Sequence, residues 1–474
     1  MKRFRSILCL LSLAVLLTLG ACAGDAPEPG APSASAPEET QSTDEAESTP
    51  ESTQVPVLSL DGCRAPADLR VLDLSGQRFS LKRLIEVSGE FTDLEEIQLG
   101  ATALSEAELE SLRAAFPGVS LQYQLLFNGE AIAPDAETLD LSTLSADQLD
   151  GAVELLSRLS ALRTVNLIAG GAYTALTPQE VERLAAAAPE AEFQCRFNLF
   201  GMTADAETTQ LRYHDQPLGN EAIEAFRAAL PFLPSLELLR IENCEITDYD
   251  AMAALRDDFP NVRVVWSVRI NGYDFMTDTT LINAALVLKD DNVHLLQYMP
   301  DVLYLDVGHS RSLTNMEFVR YFPKLQVVII TLTNITDITP LEDCPDIEFL
   351  EMVSTYVSDI SVVAGMKKLE YLNLGCMCNL ADISPVYGLK QLKQVRICGT
   401  TLQHVSQRDI ERLKEELPDT FISDRGGDPT HSGLWRFNLD GSYTERYALL
   451  REQMQYDLGD WELMLSNSPS GEES

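Results

Sequence analysis

The chain has 474 residues, 45% apolar and 23% charged, an ordinary globular composition at about three times the length of a typical domain, so several domains or one elongated repeat array is expected. Acidic residues number 73 against 35 Lys and Arg, a net charge of −38. Such a surface repels phosphate backbones and anionic lipid headgroups, which argues against nucleic acid as a partner and against electrostatic docking on membranes.

Lys2, Arg3 and Arg5 precede an apolar stretch from Ile7 to Leu19, the layout of a secretory signal, too short and too early to span a bilayer. The stretch closes in Leu19-Gly20-Ala21-Cys22, which resembles the lipobox of bacterial lipoproteins. The resemblance implies that residues 1–21 are removed, that the Cys22 thiol is diacylated, and that the chain is held at the outer face of the cell membrane by lipid. The other reading is an ordinary signal peptide with an incidental Cys. Two acyl chains anchor stably where one alone binds marginally. Without its three basic residues the mature chain carries 32 against 73, or −41. Residues 22–56 then form a tether rich in Pro, Ser, Thr, Ala and Glu; the stretch 23–55 holds eight acidic residues and neither Lys, Arg nor an aromatic. It has too little apolar surface to offset chain entropy and reads as a disordered spacer.

Over 57–290 a repeat of about 71 residues emerges. Pro117, Pro189 and Pro260 each follow a helical stretch such as Pro178 to Ala188 and precede a run of period two. The runs are Val119, Leu121, Tyr123, Leu125, Phe127; then Phe193, Cys195, Phe197, Leu199; then Val262, Val264, Trp266, Val268, Ile270. They end in Asn128-Gly129, Phe200-Gly201 and Asn271-Gly272, and alternation followed by residues that accept positive φ predicts hairpins. Further strands are expected at Leu69 to Leu74, Leu94 to Leu99, Leu162 to Leu167 and Leu236 to Ile241.

Over 291–423 the period shortens to 22–23. Leu-x-x-Leu-x-Leu recurs as Val302, Leu305, Val307; Leu325, Val328, Ile330; Ile347, Leu350, Met352; Leu369, Leu372, Leu374; and Leu392, Val395, Ile397. Ile335-Thr-Asp-Ile-Thr-Pro-Leu341 and Leu380-Ala-Asp-Ile-Ser-Pro-Val386 follow two of these strands. The pattern resembles bacterial leucine-rich repeats of the internalin type, which implies an α/β leucine-rich-repeat solenoid with parallel strands on a concave face and helices and turns on the convex side. Each unit buries its leucines only by stacking on its neighbours. The Asn usual at the turn is mostly missing, with Thr333 and Thr400 in its slot, which puts the family's buried side-chain ladder in doubt. Residues 424–474 leave the pattern. Tyr447, Leu450, Met454 and Leu458 share one helical stripe, and this segment is expected to cap the open end of the core.

Candidate chemistry is sparse. Gly308-His309-Ser310-Arg311-Ser312 resembles a nucleophile elbow without its last Gly, the turn that presents a catalytic Ser in α/β-hydrolases, but it fills the same repeat slot as Gly375-Cys376-Met377-Cys378 and reads better as a loop. A serine hydrolase using Ser310 is therefore a minor alternative, and no catalytic residue is assigned. Of nine cysteines, seven remain once Cys9 and Cys22 are set aside, an odd number. Cys195 and Cys344 fall at core positions. Cys376, Cys378 and Cys398 lie on adjacent units with His404, but at no standard zinc spacing, so neither metal nor cofactor is expected.

The strand face that points away from the leucines remains. Its third-position column reads Tyr304, Val327, Phe349, Tyr371, Gln394, its fifth Asp306, Ile329, Glu351, Asn373, Arg396, and Val353 adds a seventh. Upstream the columns read Val71, Glu96, Thr164, Leu238 and Asp73, Gln98, Asn166, Arg240. Exposed aromatics in a row commonly mark interaction sites. The expectation is a non-enzymatic module for adhesion or surface interaction that binds a protein or peptide through Tyr304, Asp306, Val327, Ile329, Phe349, Glu351, Val353, Tyr371, Asn373 and Arg396. A glycan or cell-wall ligand is the alternative, with Tyr304 beside Asp306 and Tyr371 beside Asn373. The competing structural reading is that the C-terminal segment covers these residues.

Overall fold

The computed structural model describes residues 55–397, 404–425 and 427–456. Residues 1–56 and 57–474 form separate units. The signal sequence, Cys22, nearly all of the tether, Cys398, Thr400 and Leu458 lie outside the described residues. No helix among the described residues is long and apolar enough to cross a membrane.

Unit 57–474 is α/β, and its parallel strands follow one another in chain order. The hairpin Val57–Ser59 with Arg64–Pro66, which the sequence pattern did not disclose, puts Leu58 and Ala65 into the first core cluster. Three cycles follow. The first pairs Val71–Asp73, Glu96–Thr102 and Ser120–Phe127 in parallel and returns through Glu130–Ile132. The second aligns Thr138–Asp140, Thr164–Asn166 and Glu192–Gln194, then makes a separate hairpin from Arg196–Leu199 and Met202–Asp205. The third uses Gln210–His214, Leu238–Glu242, Arg263–Ile270 and Tyr273–Met276.

All three predicted hairpins form. Phe127 pairs with Glu130, Leu199 with Met202 and Ile270 with Tyr273, and both residues of each intervening pair take φ between 50° and 91°. For Phe200 this conformation is costly, and its ring packs edge-on against Phe226 at 5.4 Å. The helices are set by caps. In Glu106–Ala115 and Pro178–Ala187 the Ser105 or Thr177 hydroxyl accepts from the backbone N–H of Glu108 or Glu180, whose carboxylate accepts in return from the cap's backbone N–H.

The last sheet in chain order has seven parallel strands in sequential order: Leu281–Asn283, Tyr304–Asp306, Val327–Ile329, Phe349–Glu351, Tyr371–Asn373, Gln394–Arg396 and Phe421–Ser423. It begins at Leu281, ahead of residue 291. Leu305, Val328, Leu350, Leu372 and Val395 are paired strand to strand and all 0% exposed, the centre of one core cluster that runs from Leu125 to Leu417. Short 3₁₀ helices such as Thr339–Asp343 and Ser384–Val386 connect the strands. The Asp337, Asp359 and Asp382 carboxylates each accept from the backbone N–H two residues on, at 2.8 Å, a side-chain-closed turn that leads into the 3₁₀ helix after it. The hydroxyl and backbone N–H of Thr339 hold Asp337, and the backbone N–H and hydroxyl of Ser384 hold Asp382, below the usual carboxylate range.

Thr in the Asn slot is satisfied within its own repeat. The Thr333 hydroxyl donates to the Ile330 carbonyl at 2.8 Å and Thr355 does the same to Met352 at 3.0 Å. The expected end cap is corrected. The last unit of the stack is the helix Gln407–Glu416 with the strand Phe421–Ser423, whereas the C-terminal segment lies on the sheet face opposite the leucines. Its helix, Glu445–Gln453, begins at a Thr444 cap.

Candidate ligand-binding surface

The third and fifth positions of each strand point away from the leucine core, as the alternation of a strand requires. At the fifth position this direction has a local use. Asp73, Asp140, Asn166, Asp306 and Asn373 each accept a backbone N–H two residues on, from Ser75, Ser142, Ile168, Gly308 and Gly375, at 2.8–3.0 Å. The side chain closes the turn that leaves the strand. Asp306 and Asn373 therefore have a structural role that their assignment to a ligand did not foresee.

The expectation that the ten candidate residues face solvent is overturned for most of them. Val327, Ile329, Phe349, Glu351, Val353, Asp306, Asn373 and Arg396 are buried, and only Tyr304 and Tyr371 keep partial exposure. Residues 428–456 of the same chain run back across the strands and cover them. Arg396, 0% exposed, donates to the Ser423 hydroxyl, to the carbonyls of Arg425, Asp428 and Pro429, and to the Ser432 hydroxyl. Asn373 Nδ2 donates to the Pro429 carbonyl at 3.1 Å and Gln394 Nε2 to that of Leu434 at 2.9 Å. Gly433 passes so close, at a φ of +69°, that a Cβ there would collide with the Arg396 guanidinium.

Further along, Glu351 accepts from Trp435 Nε1, from Arg436 Nη2 at 2.9 Å and from the Thr331 hydroxyl at 2.9 Å. Trp435 packs on Phe349 with ring centroids 5.3 Å apart, and the Arg446 guanidinium lies 4.9 Å from the Phe349 ring and 5.5 Å from that of Tyr371. Tyr447, Leu450 and Met454, on one stripe of the helix, complete a second apolar cluster with Val327, Ile329 and Phe349. The Tyr456 hydroxyl donates to Asp306. Trp435, Arg436, Arg446 and Tyr456 are contact residues of this face that the repeat pattern missed, because nothing in their spacing ties them to strands tens of residues upstream.

Electrostatics follow from this cover. Burial pushes Asp306 up to about 6, against the opposing bonds from Tyr456 and Gly308, and the nearby Glu351 adds to the rise while Arg436 reduces it. Burial alone would lower Arg436, but the Glu351 carboxylate reverses this and leaves the guanidinium above its usual range. Tyr456 is raised by burial and by Asp306.

A carboxyl whose pKa is raised in the closed form stabilises that form fully only below its ordinary value of 3.8, and the contribution is lost as pH rises towards 6. The closed segment is therefore expected to weaken by roughly 3 kcal/mol between about pH 4 and pH 6. Asp306→Asn is expected to flatten that slope while keeping an acceptor for Gly308 and a partner for Tyr456. Hydrogen exchange of residues 445–454 across this range checks it, and an unchanged slope in the variant would contradict the assignment to Asp306.

The other candidates fall elsewhere. Ser310 is buried in a turn, its hydroxyl without a hydrogen-bond partner, and follows His309 at a φ of 62°. Leu332, Ser354 and Cys376 repeat that backbone conformation one unit further on each time, so the slot is a recurring turn rather than a single elbow. Cys376 and Cys378 are half-buried free thiols, and no group of three metal-ligating side chains is found among the described residues. Cys195 and Cys344 sit in the core, where burial lifts their thiols to about 12 and about 11. The pairing of Tyr304 with Asp306 and Tyr371 with Asn373 as an open ring-and-amide surface does not form, because both polar partners are buried under the segment.

Upstream the same strand face stays open. Val71, Asp73, Thr138 and Asp140 are exposed, and Glu96, Gln98, Thr164, Asn166, Leu238 and Arg240 are half-buried.

One strand per 22–23 residues, paired in parallel and in chain order over inward leucines, defines an α/β protein of leucine-rich-repeat type. No family model and no curated protein matches the chain. Among solved structures it is similar to an internalin, InlF, of Listeria monocytogenes at 15% identity and a TM-score of 0.26, over 73% of this chain and 82% of that one. It is also similar to internalin C2 of the same organism, at 16% identity and 0.26 over 58% and 92%, and to the leucine-rich-repeat protein LIC12759 of Leptospira interrogans, at 13% and 0.24 over 75% and 96%.

Proposed function

We propose that this chain is a bacterial leucine-rich-repeat lipoprotein, a solenoid anchored through Cys22 to the outer face of the cell membrane, which binds a protein or peptide through its concave strand face and carries out no catalysis. The observation that carries this reading is the outward face of the strands. From Val71 to Arg240 its side chains are exposed or half-buried and mix acidic, amide, apolar and basic groups, and further on it holds a peptide segment by side-chain contacts. Mixed polar strips of this kind suit protein recognition better than a phosphate or lipid surface, which the net charge of −38 repels. The lipobox-like Leu19-Gly20-Ala21-Cys22 and the acidic tether support the address, placing the repeats at the end of a spacer.

The test uses the full chain in its own cell. Photo-crosslinking residues at Thr164 and Leu238, on the open strand face, are expected to give discrete protein adducts, whereas the same group on the solvent side of the Pro178–Ala187 helix, at Glu182, gives none. Cys22→Ala is expected to abolish labelling by a fatty-acid probe and to remove the adducts from the membrane fraction. Equal adducts from both faces, or adducts only to glycan, would overturn the reading.

A further inference from the structure

The C-terminal segment occupies a surface that mixes the apolar Val327, Ile329 and Phe349 with buried charged and amide side chains. A permanently buried face favours apolar residues, since charges taken out of water cost more than well-packed apolar side chains of the same volume. Here Asp306, Glu351, Asn373 and Arg396 are buried beneath the segment, at 5%, 1%, 0% and 0% exposure. At the corresponding upstream positions Asp73 is exposed and Asn166 and Arg240 are half-buried, with Arg240 paired to Glu242 and Asp278. The strands thus keep two charged side chains, Glu351 and Arg396, on this face, and the chain's own tail satisfies both.

Three further observations separate the segment from the body. It adds no strand to the seven-stranded sheet, its only β pairing being the internal bridge Phe437–Tyr443. Its apolar residues join the cluster on the outward face, while the leucine cluster that runs from Leu125 to Leu417 contains none of them. The sequence between the last strand and the segment, Asp424-Arg425-Gly426-Gly427-Asp428, has the composition of a loop.

We propose that the outward face of the strands from Leu281 to Arg396 is a docking site for a basic, aromatic helical peptide of a partner protein, and that residues 428–456 are its resident competitor in cis. The proposal rests on the concave-face reading above and names the partner's chemistry for this part of it. Glu351 takes an indole N–H and a guanidinium together, Asp306 takes a phenol, and Phe349 with Tyr371 stack under a second guanidinium. A partner displaces the tail by presenting an Arg beside a large aromatic, followed by an apolar stripe at i, i+3 and i+7 like Tyr447, Leu450 and Met454. A tethered competitor acts at the high effective concentration set by its short linker, so the site answers only to a partner that outcompetes it.

The experiment uses the full chain with a protease site inserted between Arg425 and Asp428, cut after folding, and a fluorescent synthetic peptide of residues 428–456. The peptide is expected to exchange into the cut protein and to bind the uncut chain at least tenfold more weakly. In the uncut chain Gly433→Ala, which leaves every groove residue intact, is expected to restore binding. Peptides carrying Trp435→Ala or Arg436→Glu are expected to fail. If the resident fragment stays bound through days of excess peptide and Gly433→Ala admits none, the segment is a fixed part of the fold and the proposal is wrong. If Gly433→Ala copies instead exchange tails into a dimer and take up no peptide, the occupant is a second copy rather than a partner. Should the variant not fold, the cut chain still decides. Exchange depends only on this chain's own residues, so its outcome is independent of whether Thr164 and Leu238 crosslink to anything on cells.

Discussion

In a Glu351→Ala chain, amide protection over residues 445–454 is expected to fall by roughly two to four orders of magnitude while the protection of the leucine core stays unchanged. Glu351 is 1% exposed and is the shared acceptor for Trp435 Nε1, Arg436 Nη2 and the Thr331 hydroxyl. Truncating it leaves the Arg436 guanidinium, itself only 22% exposed, without its counter-charge, and a buried pair broken on one side costs about 3–5 kcal/mol. The loss falls on the closed form of the segment, because in the open form both partners meet water. Glu351→Gln keeps one acceptor and removes the charge, so its effect is expected to be smaller but in the same direction. Glu342→Ala is the control, since Glu342 and Arg320 pair on the exposed side at 3.4 Å, where such contacts contribute about 0–1 kcal/mol. If protection of residues 445–454 were unchanged in Glu351→Ala, the shared carboxylate would not be what holds the segment.

Leu350→Ala is expected to act on the body instead. Leu350 is 0% exposed at the centre of the sheet, paired with Val328 on one side and Leu372 on the other. Deleting its branched end costs about 2–5 kcal/mol, through lost transfer energy and the cavity left behind. In a stack where each repeat is stabilised chiefly by its neighbours, a weak central unit also uncouples the two flanks. The expected result in urea is a lower midpoint and a transition that broadens or splits, followed by far-ultraviolet circular dichroism. A uniform shift with no broadening would mean that the units from Leu281 to Ser423 unfold as one with the upstream cycles. The two variants separate the two clusters: Glu351→Ala moves the outward one, Leu350→Ala the inner one.

The inner architecture was legible because its signals are local. Leu305, Leu350 and Leu372 recur at fixed spacing, and strands followed by Asn128-Gly129 or Asn271-Gly272 carry their own turn chemistry. Even Phe200-Gly201 was found, since the alternating run before it demanded a reversal. The cover over the candidate residues was not legible in the same way. Glu351 and Trp435 are 84 residues apart and Asp306 and Tyr456 are 150 apart, and no periodicity connects them. A signal did exist in Val327, Ile329 and Phe349, consecutive outward positions that are all apolar and costly to leave wet. It identified a surface that needs a partner, and of the two readings it left open, an external ligand or cover by the C-terminal segment, the structure shows the second. The fifth-position polar residues misled for a different reason. A side chain that closes its own turn and one that awaits a ligand carry the same letter, and only the Gly308 and Gly375 N–H groups, 2.8 and 3.0 Å away, separate the two roles.

The self-contained turns have a consequence for how this chain can change length. Where a spine of side chains links neighbouring units, adding or removing one unit breaks the spine at two places. Here Asp306 and Asn373 close the turns of their own units, and Thr333 and Thr355 do likewise, so these bonds travel with the unit when it is copied or lost, while the amides of Asn334 and Asn379, which donate to the Arg311 and Tyr356 carbonyls one unit back, must meet a new neighbour. The sheet pairs any strand with the next, and duplication of a 22-residue segment re-forms the same ladder one rung longer. Growth or loss by whole units is thus open to drift in the gene, while a tail that reaches back to Asp306 from a fixed distance would fall out of step with each unit gained.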